Sequence, residues 1–123
     1  MPRILLIDDS AVARMRCRQE LEADGHEIFE ACDGTAGLEL IDSGIPDLIV
    51  LDLLMPGEAG TSVLEKLRIK HPSIPVIILT ADTQQQTREQ CLKLGAQAVT
   101  NKFRDADEFT RTVREVLDAQ RRN

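Results

Sequence analysis

The chain has 123 residues, 42% of them hydrophobic and 29% charged, which suits one domain with a real core and leaves too little for a second of ordinary size. Fifteen basic against 21 acidic side chains give a net charge of -6. A protein of that sign lacks the basic field that draws phosphate backbones or anionic lipid, so no direct nucleic-acid partner and no membrane partner are expected. The apolar start Ile4 to Ile7 runs straight into Asp8 and Asp9, far short of the roughly 18 to 20 residues of a bilayer span. Neither a signal peptide nor a membrane span is read, and the expected location is cytoplasmic. Cys17, Cys32 and Cys91 are too scattered for a C-x-x-C pair and read as small core residues. His26 and His71, beside Gly25 and Pro72, read as surface loop residues.

In chain order, the first predicted strand is Arg3 to Ile7, followed by a helix from about Ala11 that Gly25 closes. Glu27 to Ala31 is a more polar strand that suits a sheet edge, and the helix from about Gly34 stops at Gly44. Asp47 to Leu51 and Pro75 to Leu79 are nearly unbroken apolar runs, as expected of central strands covered on both faces. The helix between them runs from about Thr61 to Pro72, and the next from about Gln84 to Gly95. Ala98 to Asn101 is the weakest strand. In the last helix Phe109, Val113, Val116 and Leu117 share one face, opposite Arg111, Arg114, Glu115 and Asp118. Gln120 to Asn123 carry no apolar anchor, so residues 1–120 are expected to form the domain and 121–123 a frayed tail or the start of a linker. No internal repeat or low-complexity tract is present.

This alternation predicts an α/β fold, (βα)5, with a doubly wound five-stranded parallel sheet, because crossovers between parallel strands are right-handed. In such sheets polar residues converge outside the carboxyl ends of the strands. Those ends carry Asp8 and Asp9, then Asp52, Thr80 and Lys102. Singly, Asp8 and Asp9 suit helix caps, Asp52 a turn, and Thr80 and Lys102 ordinary strand ends. Together, three carboxylates on one rim repel one another unless a cation joins them, and an all-oxygen set suits Mg2+. Beside such an ion an aspartate can accept a phosphoryl group as an acyl phosphate, with lysine neutralising the transferring oxygens and threonine donating a hydrogen bond.

The acidic pair in LLIDDS, Asp52 in LIVLDLLMPG, Thr80-Ala81 in VIILTAD, and Lys102 together make the chain similar, over nearly its whole length, to receiver domains of two-component response regulators. With the resemblance comes the flavodoxin-like strand order 2-1-3-4-5 of the family's chemotaxis member. The resemblance implies that Asp52 is phosphorylated by a sensor histidine kinase or phosphotransfer protein. It also implies that Asp9, Asp52 and the carbonyl of Leu54 ligate Mg2+ while Asp8 acts mostly through water, and that Thr80 and Lys102 hold the phosphoryl oxygens with small Ala81 leaving room. Met55-Pro56 and Gly60 match the loop after the acceptor. The domain would then control a downstream protein or a fused output domain, as a phosphoacceptor rather than a turnover enzyme.

Five positions depart from the family pattern. Phe103 follows Lys102 where the family usually has proline, and a bond before a residue other than proline is expected to be trans. Val99 replaces a frequent aromatic, so the signal is expected to pass through residues 81–86 and the start of the following helix. Ala59 replaces an acidic residue, and Gln97-Ala98 replace acidic residues that pair receivers in many DNA-binding regulators, so that mode of dimerisation is less favoured. The main alternative is a pseudo-receiver, an interaction module that is not phosphorylated. An aspartyl-phosphate phosphatase of the haloacid dehalogenase type would need an acid where Leu54 stands, and a flavin carrier would need a phosphate loop where Asp8 and Asp9 stand.

Overall fold

The computed structural model describes residues 1–55, 57, 59–103 and 105–121. Five strands and five helices alternate: β1 (Arg3–Ile7), α1 (Ala11–Ala23), β2 (Glu27–Ala31), α2 (Gly34–Ser43), β3 (Leu48–Asp52), α3 (Gly60–Lys70), β4 (Val76–Thr80), α4 (Gln85–Lys93), β5 (Ala98–Asn101) and α5 (Ala106–Arg121). All strand pairs are parallel, and the order across the sheet is β2-β1-β3-β4-β5, the doubly wound arrangement expected. The polar strand β2 lies at an edge, where one row of backbone groups is unpaired.

The pleat divides each central strand between two cores. Ile4 and Leu6 of β1, Leu48 and Val50 of β3, and Ile77 and Leu79 of β4 pack with Cys17 and Leu21 of α1 and with Phe109, Val113 and Leu117 of α5. Leu5, Ile7, Ile49, Leu51, Val76 and Ile78 point the other way, onto Ile41 of α2, Val63, Leu64 and Leu67 of α3, and Cys91 of α4. Two helices therefore cover one face and three the other, which explains why these strands read as unbroken apolar runs.

Several expectations are corrected. β3 and β4 begin and end one residue later than read. Asp47 uses its carboxylate to accept the Arg3 N–H at 2.7 Å, and Pro75 joins the ladder only through its carbonyl, which accepts from Ile49 at 3.0 Å. His26 is buried rather than a surface residue, with its side chain 6% exposed. It stands two residues before Ile28 and shares that residue's face of the sheet, beneath α1 and α5. Cys32, read as a core residue, lies exposed just beyond β2, whereas Cys17 and Cys91 are buried as expected. Arg121, placed in the tail, is the last residue of α5, and Gln120 before it donates through Nε2 to the Ser73 carbonyl at 2.9 Å. Arg122 and Asn123, and Pro56 of the loop after β3, lie outside the described residues. No helix among the described residues is long and apolar enough to cross a membrane.

Candidate functional site

The carboxyl rim is built by strand ends that finish at one level. Asp52 is the last residue of β3 and lies beside Leu79 in the register with β4. Asp8 follows β1 directly, and its N–H donates to the Ala31 carbonyl at 3.1 Å, extending the ladder by one bond. Neither Asp8 nor Asp9 caps α1, as the simpler reading of each would have it. Ser10 does so, accepting the Ala13 N–H at 3.2 Å, and the Ser10 N–H donates to Asp8 Oδ1 at 2.9 Å. Gly60 supports Asp52 from behind. A Cβ there would stand 2.6 Å from the Asp52 carbonyl oxygen and from Leu53 Cα, so only glycine lets α3 start this close to the end of β3. The sequence showed Gly60 only as part of a loop pattern, since the approach is made by backbone.

Lys102 is held without the proline that the resemblance would supply. Its N–H donates to the Thr80 carbonyl at 2.8 Å, and the next N–H, of Phe103, donates to Asn101 Oδ1 at 2.9 Å, a bond that proline could not make. No described peptide bond is cis, so the Lys102–Phe103 bond is trans as expected. The ammonium stands 3.0 Å from Asp8 Oδ2 and 3.4 Å from Asp52 Oδ2. One cation thus faces two carboxylates that are 5% and 2% exposed. Burial drives the Asp52 carboxyl up to about 6, the Asp8 charge adds to it, and Lys102 only partly offsets them. Burial works against the Lys102 ammonium, but its hydrogen bond to Asp8 and the charges of Asp52 and Asp8 prevail and raise its pKa.

Asp8, Asp9 and Asp52 each offer a carboxylate oxygen within 4.8 Å of the others, with Asp9 the exposed member. Asp52 Oδ2 is buried with no hydrogen-bond partner among the described residues. A hard divalent cation fits this donor set: all ligands are oxygen, the negative charge of these side chains exceeds that of the one ammonium facing them among the described residues, and one buried oxygen has an ion pair but no hydrogen bond there. The Leu54 N–H donates to Asp52 Oδ1 at 3.4 Å, which brings the Leu54 backbone to the same site.

Thr80 is buried at the end of β4, and its hydroxyl accepts the Asp82 N–H at 3.0 Å. Asp82 in turn accepts the Gln84 N–H at 2.9 Å and the Thr87 hydroxyl at 2.7 Å, bonds that hold its carboxyl below the usual range. Thr80 is therefore tied to the segment that opens α4, a link that the sequence did not reveal. Val99 is half-buried against the core. Its carbonyl accepts from Arg88 of α4 at 2.8 Å. Ala81, Lys102 and exposed Phe103 line an open cavity of about 390 Å³ together with Ser10, Val12 and Ala13.

The profile of the response regulator receiver domain matches residues 4–114. Sporulation initiation phosphotransferase F of Bacillus subtilis is 30% identical over 94% of this chain and 93% of its own length. The DNA-binding dual master transcriptional regulator RpaA of Synechocystis is 38% identical over 95% of this chain, which spans about half the length of that relative. A CheY-like response regulator receiver domain protein from Methanospirillum hungatei superposes with a TM-score of 0.93 at 28% identity, covering 99% of this chain and 98% of its own. With the strand order, the acidic rim and a family match over most of the length in agreement, the chain belongs to the response regulator receiver domains of two-component signalling systems.

Proposed function

We propose that Asp52 accepts a phosphoryl group from the phosphohistidine of a sensor histidine kinase or phosphotransfer protein, and that the phosphorylated domain then controls a protein partner or a fused output domain. The observation that carries this reading is the buried Asp52 carboxylate, whose Oδ2 has no hydrogen-bond partner among the described residues while it faces the Lys102 ammonium at 3.4 Å. A carboxylate oxygen of Asp52 attacks phosphorus, the phosphorus–nitrogen bond breaks, and the electron pair leaves with the donor imidazole, which takes up a proton. Asp8, Asp9, Asp52 and the Leu54 carbonyl would hold Mg2+, which when bound supplies positive charge against the phosphoryl oxygens. Asp8 holds the Lys102 ammonium through its Oδ2 at 3.0 Å. Lys102 is therefore already aimed at the oxygens that Asp52 would carry, and little reorganisation precedes the transfer. The Thr80 hydroxyl can keep accepting from Asp82 while donating its own proton to a phosphoryl oxygen.

Leu54 stands where a phosphatase of the haloacid dehalogenase type would place its general acid, which supports a phosphoacceptor rather than a turnover enzyme. The names of two relatives, a phosphotransferase and a transcriptional regulator, support passage of the signal to another protein or domain. Intact mass after treatment with a small phosphoramidate and Mg2+ tests the proposal. One added phosphoryl group on the wild type and none on Asp52→Asn is the expected result, whereas an unlabelled wild type would favour the pseudo-receiver.

A further inference from the structure

Arg14 is the fourth residue of α1, in a first turn that carries no acidic side chain. A cation near a helix N-terminus opposes the helix dipole. This one is turned away from solvent, with its side chain 17% exposed. Its Nη1 donates to the Asp8 carbonyl at 2.6 Å and its Nε to Glu30 Oε1 at 3.1 Å. The other Glu30 oxygen accepts from Arg18 Nε at 2.7 Å, and Arg18 Nη2 reaches the Ile28 carbonyl at 3.3 Å. Arg18 shares Glu30 with Arg14, but no bond described for it goes to Asp8.

The Asp8 carbonyl belongs to the peptide unit that joins buried Asp8 to exposed Asp9. On its other side Asp8 is pinned by the bond from its N–H to Ala31. The peptide gripped by Arg14 is therefore what sets where Asp9 starts relative to Asp8. A void of about 10 Å³ beneath the site is lined by Arg14, Asp8, Asp52, Cys17 and Leu79, at the lower limit for even one water. A planar fork can hold the carbonyl and Glu30 at once, which a single ammonium cannot do in the same geometry.

We propose that Arg14 is a positioning residue for the metal site, fixing the Asp8–Asp9 peptide so that both carboxylates face one ion. The proposal rests on the reading of Asp8 and Asp9 as Mg2+ ligands. It makes a prediction opposite in sign to a role in charge alone. Removing a cation near the site would strengthen Mg2+ binding if Arg14 acted only by its charge, whereas loss of the grip weakens it.

The test is titration of the whole chain with MgCl2 by calorimetry, since the sequence has no Trp or Tyr to report binding by fluorescence. Arg14→Met is expected to weaken Mg2+ binding about tenfold, the low end for a residue that orients a ligand. Arg18→Met breaks the same Glu30 network and should bind as the wild type does. Arg14→Lys, the variant to use should Arg14→Met fail to fold, keeps the charge and should lose about threefold, between the two. Unchanged or tighter binding by the Arg14 variants, or an equal loss in Arg18→Met, overturns the proposal while leaving the metal site standing. A wild type that takes up no Mg2+ contradicts the metal site itself, and this inference with it.

Discussion

Both ends of the sheet bury ionisable groups, and they resolve the cost in opposite ways. At the carboxyl end Asp8 and Asp52 share one ammonium, so negative charge is left over and a further cation is favourable. At the amino end His26 lies buried with neither ring nitrogen hydrogen-bonded among the described residues, and its Nε2 is 3.7 Å from Asp24 Oδ2. Burial lowers the His26 pKa. The Asp24 charge opposes the shift, but Arg114, which donates to Asp24 at 3.0 Å, and Arg121 add to it. A neutral imidazole needs no counter-ion, so that end is stable as it stands. Burial of a titratable group does not by itself mark a site; what separates the two ends is whether the group must be charged to do its work.

The comparison breaks most visibly at Lys102. Lys102→Met leaves two buried carboxylates without their cation. Phosphoryl uptake should fall about a hundredfold, the range seen when one oxyanion-stabilising group is removed. Metal-free stability at neutral pH should fall by about 3 kcal/mol, the lower range for breaking a buried pair. Donor-labelling rates and urea melts check the two effects.

Asp52→Asn should shift stability in the opposite direction. Because the folded pKa of Asp52, about 6, lies above the ordinary aspartate value of 3.8, the folded state holds this proton more tightly than the unfolded state does. The stabilisation is fully present below about pH 4 and is lost as pH rises to about 6. Metal-free Asp52→Asn should therefore be more stable than the wild type at pH 7 by up to about 3 kcal/mol, and the gap should close below about pH 4. Urea melts across that range with EDTA check the sign, and added Mg2+ should stabilise the wild type more than the variant.

A phosphoryl mimic with Mg2+ should change amide exchange most at residues 81–92, where Asp82 joins the Thr80 hydroxyl to the start of α4. It should change little at Val99 and around His26. The smallest effect belongs to the amino end. His26→Phe should flatten the acid limb of the stability curve below about pH 6.5, where the unfolded wild type takes up a proton that its folded state resists. It should leave phosphoryl uptake unchanged.

What the sequence made legible was order along the chain. Asp8, Asp9, Asp52, Thr80 and Lys102 stand at strand ends, and parallel winding brings those ends to one rim whatever the details of packing. The bounds of β1, β2 and β5 are those read from the sequence, while those of β3 and β4 slipped by one residue because a strand begins where the ladder does. The features missed depend on backbone groups and on the path of the chain between neighbouring elements, which residue order does not carry: α3 backing onto Asp52 through Gly60, Asp82 holding Thr80, and Arg14 gripping the Asp8 carbonyl. His26 was within reach. Ile28 and His26, two residues apart, are both buried, and reading His26 only as part of the Gly25 turn concealed this.

The central claim is that the leftover negative charge at the carboxyl rim serves phosphoryl transfer to one carboxylate. The most direct test is to phosphorylate the wild type, reduce the acyl phosphate with borohydride, and map the product by tandem mass spectrometry. The account predicts conversion of residue 52 alone, dependent on Mg2+, with Asp8 and Asp9 intact. Reduction at Asp8, at Asp9 or at a residue away from the rim, or equal labelling in EDTA, would contradict it.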